Sequence, residues 1–172
     1  MKFITDIGVF SKTEVDFGTR LLVENFEAPQ AEGDFLDVGC GYGPIGLSLA
    51  REFQHRNVHM IDVNERALVL SKKNAILNDV FNTSIYKSST YDEVNQVFSA
   101  ILSNPPIRAG KAIVHQILEG AFSKLLSGGE LWVVIQKKQG APSAERKMLE
   151  VFGNCETIAR KKGYLILKSK KD

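Results

Sequence analysis

Phe35-Leu36-Asp37-Val38-Gly39-Cys40-Gly41-Tyr42-Gly43-Pro44-Ile45-Gly46 is an apolar run of strand length that passes into glycines and then into a helical repeat. Glycines between a buried strand and a helix let the backbone approach a ligand closely, because no Cβ stands in the way. The loop therefore predicts a nucleoside cofactor. Gly41, Gly43 and Gly46 also satisfy the G-x-G-x-x-G pattern of dinucleotide-binding domains, and Asp62 follows Gly41 by 21 residues, placed to reach a ribose. Taken alone, the loop admits a nicotinamide dinucleotide as well as a methyl donor.

Outward from the loop, strand-length apolar runs recur at Asp34–Val38, Val58–Val63, Ser84–Lys87, Ala100–Ser103, Leu131–Gln136, Thr157–Arg160 and Tyr164–Lys168. Helical spacing fills Gly18–Phe26, Gly43–Phe53, Glu65–Leu77, Lys111–Leu126 and Ser143–Phe152. This alternation predicts an α/β, Rossmann-like fold: a mostly parallel sheet of seven strands with helices on both faces. The last two runs, separated by Lys161, Lys162 and Gly163, predict a terminal hairpin whose final strand is antiparallel to its neighbours. That ending resembles the sheet of class I methyltransferases more than an ordinary dinucleotide-binding one.

With 172 residues, 44% of them hydrophobic, the chain can bury one sizeable core, and a single domain over 1–172 is expected. Within it, 1–30 reads as an amino-terminal cap segment and helix, and 31–172 as the catalytic core. The first twenty residues hold Lys2, Asp6, Lys12, Glu14, Asp16 and Arg20 and no long apolar run, which predicts neither a signal peptide nor a membrane span, hence a cytoplasmic protein. Cys40 and Cys155 are too few and too distant for a disulfide framework, and no His/Cys cluster has metal-ligand spacing, so no metal is expected. His55, His59 and His115 stand alone and read as surface or core fillers, and Cys40 as a small packing side chain. Net charge is +2, unevenly spread: 1–130 carries 12 basic and 16 acidic side chains, and 131–172 carries 10 and 4. The basic end suggests a surface for a polyanion.

Asn104-Pro105-Pro106-Ile107 closes the fourth predicted strand, across the sheet's switch point from the glycine loop. It is similar to the N-P-P-[YF] motif of methyltransferases that act on planar, amide-like or exocyclic nitrogens. Such a nitrogen is a poor nucleophile because its lone pair is delocalised into the ring, and its two N–H groups need acceptors. The Asn104 side-chain oxygen and the Pro105 carbonyl can accept one proton each and hold the nitrogen in line with a sulfonium methyl. Catalysis is then positioning and desolvation, with no metal or strong base. Ile107 departs from the aromatic residue that such enzymes often use to stack on the base, and Phe10 is the candidate replacement.

The expected cofactor is S-adenosyl-L-methionine, bound by Asp37, Gly39, Gly41, Gly43, Asp62, Val63, Ser88 and Asn104. Asp62 would accept both ribose hydroxyl protons and Val63 would cover an adenine face. Asp37, just ahead of the glycines, would attract the cofactor's ammonium group and repel a pyrophosphate. Ser88 follows the third strand, where many methyltransferases place a contact to the adenine amine.

Gly8-Val-Phe10-Ser11, Asp16-Phe-Gly18-Thr19-Arg20, the glycine loop, Asn104-Pro-Pro-Ile-Arg108-Ala-Gly110-Lys111 and Gln136-Lys-Lys-Gln-Gly-Ala-Pro142 together resemble the small-domain family of methyltransferases, which includes a guanine-N2 enzyme of small-subunit ribosomal RNA. The resemblance spans nearly the whole chain and points to the short, single-domain members. It implies methylation of an exocyclic nitrogen of an RNA base, with guanine N2 the foremost target and ribosomal RNA or the small ribosomal subunit the partner. It also implies that Gly8–Arg20 packs over the cofactor and lends Phe10 and Gly18 to the pocket. Arg108 and Lys111 after the catalytic turn, and Lys137 and Lys138 after the fifth strand, would form a basic rim for flanking phosphates, with Phe10 and Ile107 at the base. Adenine N6 and a protein glutamine amide use the same Asn-Pro-Pro chemistry and stay open, as do a nicotinamide oxidoreductase and a non-catalytic RNA-binding module. The sequence leaves the oligomeric state open.

Overall fold

A computed structural model of the chain describes residues 1–6 and 15–172. Five helices, α1 (Phe17–Asn25), α2 (Pro44–Glu52), α3 (Glu65–Leu77), α4 (Lys111–Ser123) and α5 (Ala141–Phe152), alternate with seven strands. These are β1 (Phe35–Val38), β2 (Val58–Asp62), β3 (Thr83–Lys87), β4 (Phe98–Ser103), β5 (Leu125–Gln136), β6 (Glu156–Lys161) and β7 (Tyr164–Lys170). The strands form one sheet in the order β3-β2-β1-β4-β5-β7-β6, parallel from β3 to β5, with β7 antiparallel to both β5 and β6. The mixed sheet and the terminal hairpin are as the sequence predicts.

Local chemistry sets most boundaries. The Asn64 side chain caps α3 by accepting the N–H groups of Arg66 and Ala67, and Asp16 caps α1 by accepting that of Thr19 at 3.2 Å. Gly43 and Gly140 lead into Pro-containing first turns of α2 and α5, where the missing proline N–H is harmless. The hairpin turns on Lys162 and Gly163, both at positive φ (50° and 81°), as a two-residue primed turn demands.

Most boundaries fall within two residues of the sequence reading, and the junction of α4 and β5 differs by more. The Lys111–Leu126 helical pattern ends at Ser123, and Leu125 and Leu126 already belong to β5, which runs six residues ahead of the expected Leu131. Apolar residues continue the helical spacing through this point, but Leu125 pairs with Phe98 of β4, with a register shift between Phe98 and Ala100. Sheet pairing prevails over periodicity there.

Each face of the sheet carries its own core. Leu36, Val38, Ile101, Leu131 and Val133 pack beneath α4 and α5, against Met148 of α5 among others. Phe35, Met60, Leu102, Trp132 and Val134 pack beneath α1, α2 and α3. Phe26, just past α1, lies edge-on to Phe35, Phe53 and Trp132 at centroid distances of 5.4, 6.0 and 5.1 Å, so α1 shares the core of the sheet it covers. Ahead of it, Lys2 and Ile4 pair through their backbones with the side-chain amides of Asn78 and Asn74, one turn apart on α3. No described helix is long and apolar enough to cross a membrane.

Candidate active site

The order of winding reverses between β1 and β4, the sheet growing out to β3 on one side and through β5 on the other, and ligands of open α/β sheets bind in the crevice at such a switch point. Both motifs singled out in the sequence meet there. The Ser103 hydroxyl donates to the Val38 carbonyl at 2.9 Å, stapling the ends of β4 and β1 where the Asn104 turn and the glycine loop begin.

The glycine loop is held from two sides, by β2 and by α3. The N–H groups of Gly39 and Cys40 both donate to the Ile61 carbonyl at 2.9 Å. From α3, the buried Ser71 hydroxyl and Asn74 amide donate to the carbonyls of Gly41 (2.7 Å) and Tyr42 (2.8 Å). Gly39, Gly41 and Gly43 have φ of 74°, 58° and 110°, which side chains rarely adopt. A Cβ built on Gly41 meets nothing within 4 Å, so the loop faces open space, whereas Gly46 lies against Met60.

Asp62 ends β2 and joins this loop directly. Its Oδ2 accepts the Gly41 N–H and its Oδ1 the Asn64 N–H, each at 2.9 Å, leaving further lone pairs on both oxygens for two ribose hydroxyls. Beside it Val63 is 59% exposed, an apolar surface available to an adenine.

Asp37 is fully buried beneath the loop, where Oδ2 accepts the Gly46 N–H of α2 at 2.9 Å and Oδ1 has no hydrogen-bond partner among the described residues. From this position the carboxyl secures the turn into α2. Burial, chiefly, pushes its pKa up to about 7; the Gly46 hydrogen bond opposes this and the nearby Asp62 charge adds to it. Cys40 packs at 5% exposure with Sγ 3.8 Å from the Ser71 hydroxyl, its thiol pushed well up by burial.

Ser88 is 3% exposed, and its hydroxyl donates to the Thr90 carbonyl (2.9 Å) and accepts the Glu93 N–H (3.0 Å). Its hydroxyl proton is thus committed to closing the turn after β3, and the adenine contact expected of it has only a remaining lone pair to use.

In the second constellation, Pro105 is buried, Asn104 half-buried and Pro106 exposed, and Ile107–Ala109 form a 3-10 turn ending at Gly110. Asn104 donates through Nδ2 to Asp16 Oδ2 and to Thr19 Oγ1, both at 3.1 Å. Both amide protons are spent on Asp16 and Thr19, so Oδ1 is the end of the side chain without a partner among the described residues. Tyr164 packs on the same turn, its hydroxyl 3.5 Å from Asp16 Oδ1 and accepting from Gln136 Nε2 at 2.8 Å. Phe17 stacks beside Tyr164 at 5.6 Å. Asp16 and Thr19 were quoted in the sequence only as part of a family motif; their contact with Asn104 spans 85 or more residues and has no local signal. Gly18 serves by its lack of a side chain, since a Cβ there would stand 2.7 Å from the Tyr164 ring.

Arg108, Lys111, Lys137 and Lys138 are all exposed and in no ion pair among the described residues. Lys137 donates its backbone N–H to the Gly163 carbonyl at 2.8 Å, which brings the hairpin turn, with exposed Arg160 and Lys161, to the same edge. Phe10 lies outside the described residues. Two of the histidines pack, His59 with Nδ1 2.8 Å from the Tyr86 hydroxyl and His115 with Nε2 3.0 Å from the Ser143 hydroxyl, and His55 is exposed.

A parallel sheet finished by an antiparallel hairpin, with acid, glycine loop and Asn-Pro-Pro turn around its switch point, defines a class I methyltransferase that uses S-adenosylmethionine. Residues 1–168 match the family described as the methyltransferase small domain, and the chain belongs to that family. It is 58% identical over 171 residues to the uncharacterized protein YbxB of Bacillus subtilis (strain 168), covering 98% of this chain and 85% of that one. It is 30% identical over 169 residues to ribosomal RNA small subunit methyltransferase C of Shewanella amazonensis, covering 96% of this chain and 48% of that one. The chain thus spans about half the length of the curated relatives named for that activity. Among solved structures, the T. thermophilus 16S rRNA N2 G1207 methyltransferase (RsmC), in complex with AdoMet and guanosine, superposes with a TM-score of 0.83 at 25% identity, over 96% of this chain and 46% of that one. A methyltransferase from Pyrococcus furiosus shares the fold, with a TM-score of 0.74 at 21% identity over 88% and 80% of the two chains.

Proposed function

We propose that the protein methylates an exocyclic base nitrogen of RNA, with guanine N2 of small-subunit ribosomal RNA as the foremost target and the cytoplasm as its place of action. The observation that carries this reading is the Asn104 amide, whose nitrogen is bonded to Asp16 and Thr19 so that an acceptor oxygen is left at the switch point beside Pro105. When bound, S-adenosylmethionine supplies an electrophilic methyl on a sulfonium. Asn104 Oδ1 and the Pro105 carbonyl accept the two N–H protons of the incoming amine, which fixes its nitrogen and turns its lone pair out of conjugation. With the cofactor bound, the nitrogen so held would take the methyl group as the carbon–sulfur bond breaks, and its surplus proton would pass to water. Asp62 and Val63 hold the nucleoside part, Arg108, Lys111, Lys137 and Lys138 the phosphates that flank the target, and Ile107 and Phe10 flank the base. Relatives named for small-subunit rRNA methylation and a neighbour crystallised with guanosine support the choice of base.

The test is tritiated-methyl transfer to small-subunit RNA transcribed in vitro, to intact small subunits and to protein fractions, followed by nucleoside analysis. Label recovered as N2-methylguanosine is the expected result. Label in N6-methyladenosine, or only in protein, would redirect the assignment.

A further inference from the structure

We propose that Asp16 is a positioning residue for methyl transfer, fixing which end of the Asn104 amide faces the acceptor. A side-chain amide is nearly symmetric in shape, and either its oxygen or its nitrogen can turn towards the substrate; only the oxygen can accept the protons of an exocyclic amine. Asp16 removes the ambiguity. Its Oδ2, 3.1 Å from Asn104 Nδ2, is an acceptor and no donor when ionised, so a flipped amide would set oxygen against oxygen. The Thr19 hydroxyl, also at 3.1 Å, takes the second amide proton.

Asp16 is itself fixed. It caps α1 through the Thr19 N–H at 3.2 Å, and the Tyr164 hydroxyl lies 3.5 Å from its other oxygen, with Gln136 donating to that hydroxyl at 2.8 Å. A carboxylate at a helix N-terminus is favourably placed. The arrangement joins the start of α1, the turn after β4, the end of β5 and the start of β7 around one amide. Among the described residues its hydrogen bonds run to α1, to the Asn104 turn and to Tyr164, and none runs to Asp62, so it acts on the acceptor more than on cofactor affinity. The inference rests on a planar nitrogen being the acceptor, whichever base or amide carries it.

Three variants and one spectrum test it. Asp16→Ser keeps a helix-capping hydroxyl but is too short to reach Asn104; it should retain melting temperature and S-adenosylhomocysteine affinity while turnover on small-subunit RNA falls at least about tenfold, up to the 10²-fold expected of a misplaced group. Asn104→Asp sets two carboxylates together and should be nearly inactive. Asp16→Asn combined with Asn104→Asp restores a donor–acceptor pair in reversed order and should recover at least about tenfold of that loss, a rescue that a merely structural Asp16 would not give. In the 15N spectrum of the wild-type protein, the Asn104 side-chain NH2 should exchange slowly and shift in Asp16→Ser. Wild-type turnover in Asp16→Ser, no recovery in the double variant, or a freely exchanging Asn104 amide would each overturn the proposal. The spectrum needs no acceptor, so it decides the matter even if small-subunit RNA proves not to be the substrate, an outcome that would count only against the function proposed above.

Discussion

Gly41 donates its backbone N–H to Asp62 Oδ2 at 2.9 Å, so the carboxylate proposed for the ribose and the glycine loop are tied into one piece. Removing the carboxylate would therefore untie the loop as well as the proposed ribose contact.

For Asp62→Ala we expect S-adenosylhomocysteine affinity to fall by about 10²-fold, since hydrogen bonds to a charged group are worth roughly 1.5–3 kcal/mol each. In wild type the same ligand should raise the melting temperature at ligand excess and NAD should not. Equal stabilisation by NAD, or an unaltered ligand response in Asp62→Ala, would contradict the assigned cofactor contacts.

Asp37 gives the protein a pH dependence of definite sign. Its pKa is raised in the folded protein to about 7 from the ordinary carboxylate value of 3.8, so below about pH 4 it is protonated in both states and contributes nothing to the pH dependence. Between those values the folded state holds more protons than the unfolded one, and stability falls as pH rises, levelling above about 7 at a cost of roughly 4 kcal/mol. Asp37→Asn keeps an acceptor for the Gly46 N–H and removes the titration. Its stability relative to wild type, followed by denaturant unfolding from pH 5 to 8, should climb with pH; parallel curves would refute the account.

Asn104→Ala should leave S-adenosylhomocysteine binding largely intact while lowering turnover roughly 10²-fold or more, as expected when a positioned acceptor is lost. Isothermal titration and single-turnover methyl transfer separate the two quantities. Near-normal turnover would remove Asn104 from the mechanism.

Gly18→Ala places a methyl 2.7 Å from Tyr164 Cε1 and 3.0 Å from Asp16 Oδ2. Overpacking of this kind costs about 1–3 kcal/mol, and here the strain falls on the residues that hold Asn104. Thermal melting should register the loss, and turnover should drop further than cofactor affinity. A variant as stable and active as wild type would show that Tyr164 yields freely.

Lys137→Glu/Lys138→Glu should weaken RNA binding and flatten its salt dependence, because each phosphate contact on single-stranded RNA contributes about 0.7 to the slope of log affinity against log salt. Arg160→Glu/Lys161→Glu, on the adjoining hairpin turn, should act in the same direction. A guanine locked in stable duplex should react poorly, since its amine must leave the stack to reach Asn104. Unchanged slopes, or preferential methylation of duplex, would count against the rim and the extrusion respectively.

Much of this was readable in advance, for physical reasons. Central strands such as Ala100–Ser103 are buried on both faces and announce themselves as apolar runs, and glycines at positive φ mark the loop. Leu125–Gly129 misled because Leu125 and Leu126 fit a helix as well as a strand until β4 supplies a partner. Asp37 and Ser88 were read from their position along the chain, whereas burial decides what they can touch. The contacts of Asn104 with Asp16 and Thr19 were hidden because polar side chains carry no periodicity from which a distant partner can be read.

Placing β7 between β5 and β6 has a consequence for how the protein is made. Until residues 164–170 emerge from the ribosome, β5 is an open edge carrying Trp132, Val134 and unpaired backbone groups, a surface prone to pair with another chain. The segment that closes this edge also delivers Tyr164 to Asp16, so a growing polypeptide gains its protection from aggregation and the neighbour of its Asp16–Asn104 contact in the same step.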